Sequence, residues 1–99
     1  MQGIWLDPEG TELATLDRMI SLRGRRVIEI GCGEGRFTMR LARRCRHVVA
    51  LDPDRQAIAR ARRVIPPPLK ARTQFKVAWA ESLPFPDQTF DVAVLSWSL

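Results

Sequence analysis

Apolar residues recur along this chain at two alternating periods, and the changes of period mark out its elements. From about Pro8 to Ser21 the residues Leu13, Leu16 and Ile20 share one helical face, with Asp7 placed to cap the helix and Pro8 at its first position. Gly24 ends that stretch, and Val27-Ile28-Glu29-Ile30 then forms a short β-branched run opening into Gly31-Cys32-Gly33-Glu34-Gly35, too glycine-rich to continue a strand. The helical period returns from Arg36 with Phe37, Leu41 and Cys45 at i, i+4 and i+8. His47 to Leu51 reads as a second strand. Asp52-Pro53-Asp54 opens another helix, striped by Ile58, Ala61 and Ile65 and stopped by Pro66-Pro67-Pro68.

Beyond the prolines, Thr73 to Trp79 alternates, with Phe75, Val77 and Trp79 on one side and Gln74 and Lys76 on the other, the pattern of an edge strand half in water. Val92-Ala93-Val94-Leu95 is apolar on both faces, as a strand inside a parallel sheet is, and Pro84 to Gln88 supplies a turn before it. Strands alternating with helices imply right-handed crossovers. The expected class is therefore α/β: a Rossmann-like doubly wound parallel sheet, incomplete, of about four strands and three helices. Residues 1–25 would form an N-terminal helical segment and residues 26–99 the half-domain that carries the sheet. Ligands of such sheets bind beyond the carboxyl ends of the strands, where strand order reverses. Each glycine-rich or unusual polar feature of this chain follows a strand.

Composition narrows the function classes. At 99 residues, 45% hydrophobic and 27% charged, the chain suits one small globular unit. Its apolar runs are far shorter than the roughly 18 residues that a membrane-spanning helix needs, and no export signal is visible. Cys32 and Cys45 have neither CxxC spacing nor a histidine cluster beside them, so no metal site is expected and a reducing cytoplasm fits. The net charge of +5 comes almost wholly from arginine. Arg36, Arg40, Arg43, Arg44 and Arg46 crowd one predicted helix and its end, and Arg55, Arg60, Arg62 and Arg63 the next. Most avoid the apolar stripe, and no aromatic residues lie among them to stack bases, so solvated helix faces account for them better than a nucleic acid partner does.

The candidate chemistry lies at the strand ends. Gly31-x-Gly33-x-Gly35, between a strand and a helix, lets the backbone turn sharply and approach a ligand. Asp52 follows 21 residues after Gly31, where a carboxylate can accept from both hydroxyls of an adenosine ribose, or can serve as the cap of the helix that follows. A dinucleotide fingerprint would need a third glycine at position 36, which is arginine. His47 falls at the start of its strand, away from the ligand edge, and Asp91 suits a hydrogen-bonding role at the start of the last strand, so neither joins the site.

Three blocks together resemble a known family. Val27 to Thr38, VIEIGCGEGRFT, resembles motif I of class I S-adenosylmethionine-dependent methyltransferases, and Val48 to Asp54, VVALDPD, the segment that follows it. Ala80 to Leu95, AESLPFPDQTFDVAVL, is similar to the LPF-turn-FD segment of the small-molecule group typified by the ubiquinone and menaquinone biosynthesis methyltransferases. The resemblance implies S-adenosyl-L-methionine as cofactor and a small-molecule methyl acceptor. It implies that Gly31, Cys32, Gly33 and Gly35 line the methionine portion, that Glu29 helps hold its ammonium, and that Asp52 takes the ribose hydroxyls. Pro53, Ala80 and Glu81 would border adenine, and Ser96 would approach the sulfonium. Glu29 has an alternative reading, as an acceptor for glycine-loop amides. Trp79 stands where the family places an aspartate for the adenine amino group, and reads either as a stacking face or as packing beside Phe75 and Val77. Trp5 reads as ordinary packing or as a cover over the cofactor.

No residue presents itself as a general base. Relatives in the family continue with about three more strands, whereas this sequence halts at Ser98-Leu99, which predicts truncation and leaves Val92 to Leu95 as an exposed edge for self-association or a partner chain. Two other readings stand beside a methyltransferase: a noncatalytic half-domain that pairs with a partner, and a fragment of a dinucleotide-dependent oxidoreductase.

Overall fold

The computed structural model describes residues 5–6, 21–79 and 90–96. In chain order these form β1 (Trp5–Leu6), β2 (Arg26–Ile30), α1 (Arg36–Ala42), β3 (His47–Asp52), α2 (Arg55–Val64), α3 (Pro67–Lys70), β4 (Thr73–Val77) and β5 (Val92–Leu95). The strands make one sheet in the order β1-β5-β2-β3-β4, every adjacent pair parallel. Register sets Ile30 opposite both Leu51 and Leu95, and Asp52 opposite Val77, so the carboxyl ends stand nearly level along one edge. The chain steps from β2 to β3 to β4 in one direction and then returns across β2 to β5. Strand order therefore reverses between β2 and β5, which is where a doubly wound sheet opens its crevice.

Alternation along the strands sorts the core into two faces. Val27, Val48, Ala50, Phe75, Val92 and Val94 join Leu41, Ala42, Ile58, Ala61 and Ile65 of the helical side, while Ile28, Ile30, Val49, Leu51 and Ala93 form the opposite face with Phe90. The expected stripe of α2 is buried as read, and that of α1 is buried at two of its three positions. Leu41 and Cys45 are buried as expected and Phe37 packs half-buried against the same core, while Thr38 and Ala42 are buried beside them, so the stripe is wider than the i, i+4, i+8 spacing alone implies. Asp54, not Asp52, caps α2, its Oδ1 accepting from the amides of Gln56 and Ala57 at 2.9 and 3.2 Å. The prolines after Ile65 do stop α2, and Pro67 then begins the four-residue α3, which the sequence reading missed. Proline's fixed φ suits a helix's first turn.

Three further expectations meet the structure here. β4 is an edge strand as read, and Arg62 covers part of its outer side by donating to the Phe75 carbonyl at 2.7 Å. Asp91 acts at the start of β5, where its Oδ2 accepts from the Arg26 amide at 2.8 Å. The anticipated free edge of β5 is not free. β1 lies along it in parallel, Trp5 opposite Ala93 and Leu6 opposite Val94, giving a fifth strand where about four were expected. A two-residue strand carries too little pattern to be visible in sequence. The predicted helix from Pro8 to Ser21, apart from Ser21 itself, and the Pro84 to Gln88 turn lie outside the described residues. Among the described residues no helix is long and apolar enough to cross a membrane.

Candidate functional site

The glycine loop leaves β2 and is fastened at once to β3. The amides of Gly31 and Cys32 both donate to the Leu51 carbonyl, at 2.8 and 2.9 Å, and the Gly33 amide donates to Asp52 Oδ2 at 2.9 Å. The other oxygen of Asp52 accepts from the Asp54 amide at 2.8 Å, and its carbonyl accepts from Ala78 at 3.2 Å. One buried residue thus ties the loop after β2 and the turn after β3 through its carboxylate, and the segment leaving β4 through its carbonyl. Charge-assisted bonds to backbone amides make that junction stiff. Pro53 is half-buried beside it.

The three glycines do different things. Gly31, Gly33 and Gly35 all adopt positive φ, at 83°, 55° and 87°, where L side chains are strained. A β-carbon on Gly33 would meet nothing within 4 Å, while the amide of the same residue is held by Asp52. One on Gly35 would sit 3.1 Å from the Phe75 ring and 3.3 Å from the Ala61 β-carbon. Gly33 therefore faces space that the described residues leave open, and Gly35 leaves room for the protein's own core. Spacing alone could not separate these roles, because they depend on where β4 and α2 come to rest.

Glu29 lies on the helical side of β2 and is wholly buried. One carboxyl oxygen accepts from the Thr38 hydroxyl of α1, the other from the Ser96 hydroxyl just beyond β5, while the Ser96 amide donates to Ile30 at 2.9 Å. The amide of Gly33 goes to Asp52 instead, so two hydroxyls, and not the glycine-loop amides, hold this carboxyl. Thr38 is the buried neighbour of the candidate site that sequence reasoning missed. Its signal was a hydroxyl on the buried stripe of a helix, which needs an inward partner. Burial pushes the Glu29 pKa above the ordinary value of 4.5; the Ser96 and Thr38 hydrogen bonds pull it down, and the Asp52 charge adds to the rise.

The sign of that shift gives a pH dependence. A carboxyl that binds its proton more tightly when folded adds stability that is complete below about pH 4.5 and is lost as pH rises through the native pKa. Glu29→Gln keeps a neutral acceptor and donor for the two hydroxyls. The parent is accordingly expected to lose stability relative to Glu29→Gln from pH 4.5 toward neutrality, as urea melts across that range will measure. A parent that gains on the variant as pH rises contradicts the assignment.

The remaining candidates take their places around this core. Cys32 is buried with its thiol toward the Gly33 carbonyl at 3.6 Å, and burial first, then the charges of Glu29 and Asp52, push its pKa up. Burial also pushes Cys45 up to about 11, so both free thiols stay protonated and unreactive at neutral pH. Trp79 follows β4 and is 63% exposed, which removes the reading of it as packing beside Phe75. His47 pairs with Arg26 at the far end of β3 and takes no part. Ala80 and Glu81 lie outside the described residues, and among those described no cluster of His, Cys, Asp or Glu could hold a metal ion.

A family model described as a methyltransferase domain matches residues 27–99. The magnesium-protoporphyrin O-methyltransferase of Rhodobacter capsulatus is 45% identical over 56 residues, covering 57% of this chain and 25% of that protein. The ubiquinone biosynthesis O-methyltransferase of Xylella fastidiosa is 36% identical over 58 residues, covering 48% of this chain and 24% of that protein. An S-adenosylmethionine-dependent methyltransferase from Mesorhizobium loti superposes with a TM-score of 0.73 at 28% identity, covering 91% of this chain and 41% of that one. The chain thus spans about a quarter of the length of these two curated relatives.

Proposed function

Since the chain belongs to the methyltransferase-domain family of S-adenosylmethionine-dependent enzymes, we propose that the carboxyl edge of its sheet holds that cofactor for methyl transfer to a small organic acceptor. The observation that carries this reading is the 2.9 Å contact of the Gly33 amide with Asp52, beside the open space over Gly33. Loop backbone and the carboxylate proposed for the ribose meet at one point, as a single adenosyl ligand requires. The residues fit the group. Gly31, Cys32 and Gly33 would run along its methionine portion, with Gly35 supporting the loop from beneath. Asp52 retains lone pairs for the ribose hydroxyls, since each of its oxygens accepts one amide. Pro53 and the exposed face of Trp79 would border adenine together with Ala80 and Glu81, and Ser96, fixed from behind by Glu29, would approach the sulfonium.

The bound cofactor supplies a methyl group already activated on sulfur. The protein's share is to orient that group and to keep water from the line of displacement. A small acceptor is in keeping with the kinds of molecule named for the two O-methyltransferases. Residues 26–99 would form the cofactor-binding unit behind an N-terminal segment of residues 1–25, and the two free buried thiols suit a cytoplasmic setting. The alternative in which the bare edge of β5 recruits a partner loses its support, because β1 occupies that edge. Calorimetric titration with S-adenosylhomocysteine and with NADH tests the cofactor. Saturable binding of the first alone is the expected result; saturable binding of NADH alone overturns the reading.

A further inference from the structure

The arginines that look like solvated helix faces in sequence are brought together by the fold. The crossovers from β2 to β3 and from β3 to β4 step in the same direction, so α1 and α2 lie side by side on one face of the sheet. Between them runs a groove of about 450 Å3 whose walls include Arg36, Arg40 and Arg43 from the α1 side and Arg60 and Arg63 from α2. Its one carboxylate, Glu34, is already engaged with Arg60 at 2.8 Å. Among the described residues Arg36, Arg40, Arg43 and Arg63 have no acidic partner. Four uncompensated guanidinium groups around one concavity repel each other, and a multivalent anion seated there would relieve that repulsion.

The groove also has an apolar component. Met39 is half-buried within it, and Val64, 57% exposed, stands at the α2 side. From this combination we infer that the α1–α2 groove is a docking site for an acidic amphipathic segment of a partner protein, whose carboxylates pair with Arg40, Arg43 and Arg63 while an apolar side chain covers Met39 and Val64. Arginine's planar fork takes carboxylates bidentately, and a groove with an apolar strip between charged walls is the shape that receives one face of a helix. A phosphodiester chain offers nothing to cover Met39 and Val64, and the groove holds no aromatic residue to stack a base. A membrane presents a flat surface that cannot enter a concave cleft between two helices. The inference does not depend on the cofactor: its groove shares no residue with the proposed cofactor site.

The test uses the full chain and three labelled probes: a capped synthetic helix with leucines at every third and fourth position flanked by glutamates, a scrambled peptide of equal composition, and a ten-residue oligouridylate. Fluorescence anisotropy is expected to show the amphipathic peptide binding at least about tenfold more tightly than the scrambled one. Arg40→Glu and Arg63→Glu should each weaken it about tenfold or more, Val64→Ser about threefold, and Arg46→Glu, an exposed arginine outside the groove, hardly at all. Circular dichroism and S-adenosylhomocysteine binding of each variant report whether the fold and the cofactor site persist, so a failure here is distinct from a failure of the proposed function. Equal binding of both peptides, equal losses at Arg40 and Arg46, tighter binding of the oligouridylate, or no binding of the amphipathic peptide overturns the inference.

Discussion

Asp52→Ala is expected to lower affinity for S-adenosylhomocysteine by about 100-fold or more, because two ribose hydroxyls lose a charged acceptor at about 1.5 to 3 kcal/mol each. The same change leaves the amides of Gly33 and Asp54 without their partner, so stability should also fall, by about 2 to 3 kcal/mol. Asp54→Ala separates the two effects. It removes the cap of α2, costing about 1 kcal/mol, and should leave affinity within about threefold, since among the described residues the Asp54 side chain bonds only the amides of Gln56 and Ala57. Calorimetry and urea melts on both variants give all four numbers. A folded Asp52→Ala protein that still binds within threefold of the parent would show that the ribose is held elsewhere.

Identical substitutions two residues apart should give opposite results. Gly35→Ala places a methyl group 3.1 Å from the Phe75 ring at a φ of 87°, and is expected to cost about 2 to 4 kcal/mol of stability from backbone strain and overpacking together. Gly33→Ala meets no protein atom, so only the backbone strain of about 1 kcal/mol applies. Its methyl group, however, points into the space assigned to the ligand, and affinity should fall at least about tenfold. Adding Phe75→Leu to Gly35→Ala should recover the packing part of the loss but not the strain. Should Gly33→Ala bind normally while Gly35→Ala folds normally and fails to bind, the roles assigned to the two glycines would have to be exchanged.

Much of this arrangement was legible in the residues. The β-branched run ending at Ile30, the glycines after it and the carboxylate at Asp52 are local features, and their order already implied a parallel sheet with one ligand edge. The doubly apolar Val92 to Leu95 run and the alternating Thr73 to Trp79 run distinguish an interior strand from an edge strand, although the edge strand ends at Val77. The errors share a physical origin. The i, i+4, i+8 spacing of Phe37, Leu41 and Cys45 finds the buried side of α1 but not Thr38, because periodicity states how often a face returns, not how wide a sector meets the sheet. Asp52 was offered as a cap because it and Asp54 both precede the same helix, and only backbone geometry selects between them. The short pairing of Trp5 and Leu6 against β5 has too few residues to show any period at all.

By itself the sequence determined the kind and order of β2, α1, β3, α2, β4 and β5, because hydrophobic period, glycine-rich turns and proline stops act over a few neighbouring residues. Only the tertiary structure decided which distant groups meet: Glu29 with Thr38 and Ser96, Gly35 with Phe75, β1 with the edge of β5, and the arginines of α1 with those of α2. Those meetings depend on strand register and on the rotation of each helix about its own axis, which the packing of the whole core settles.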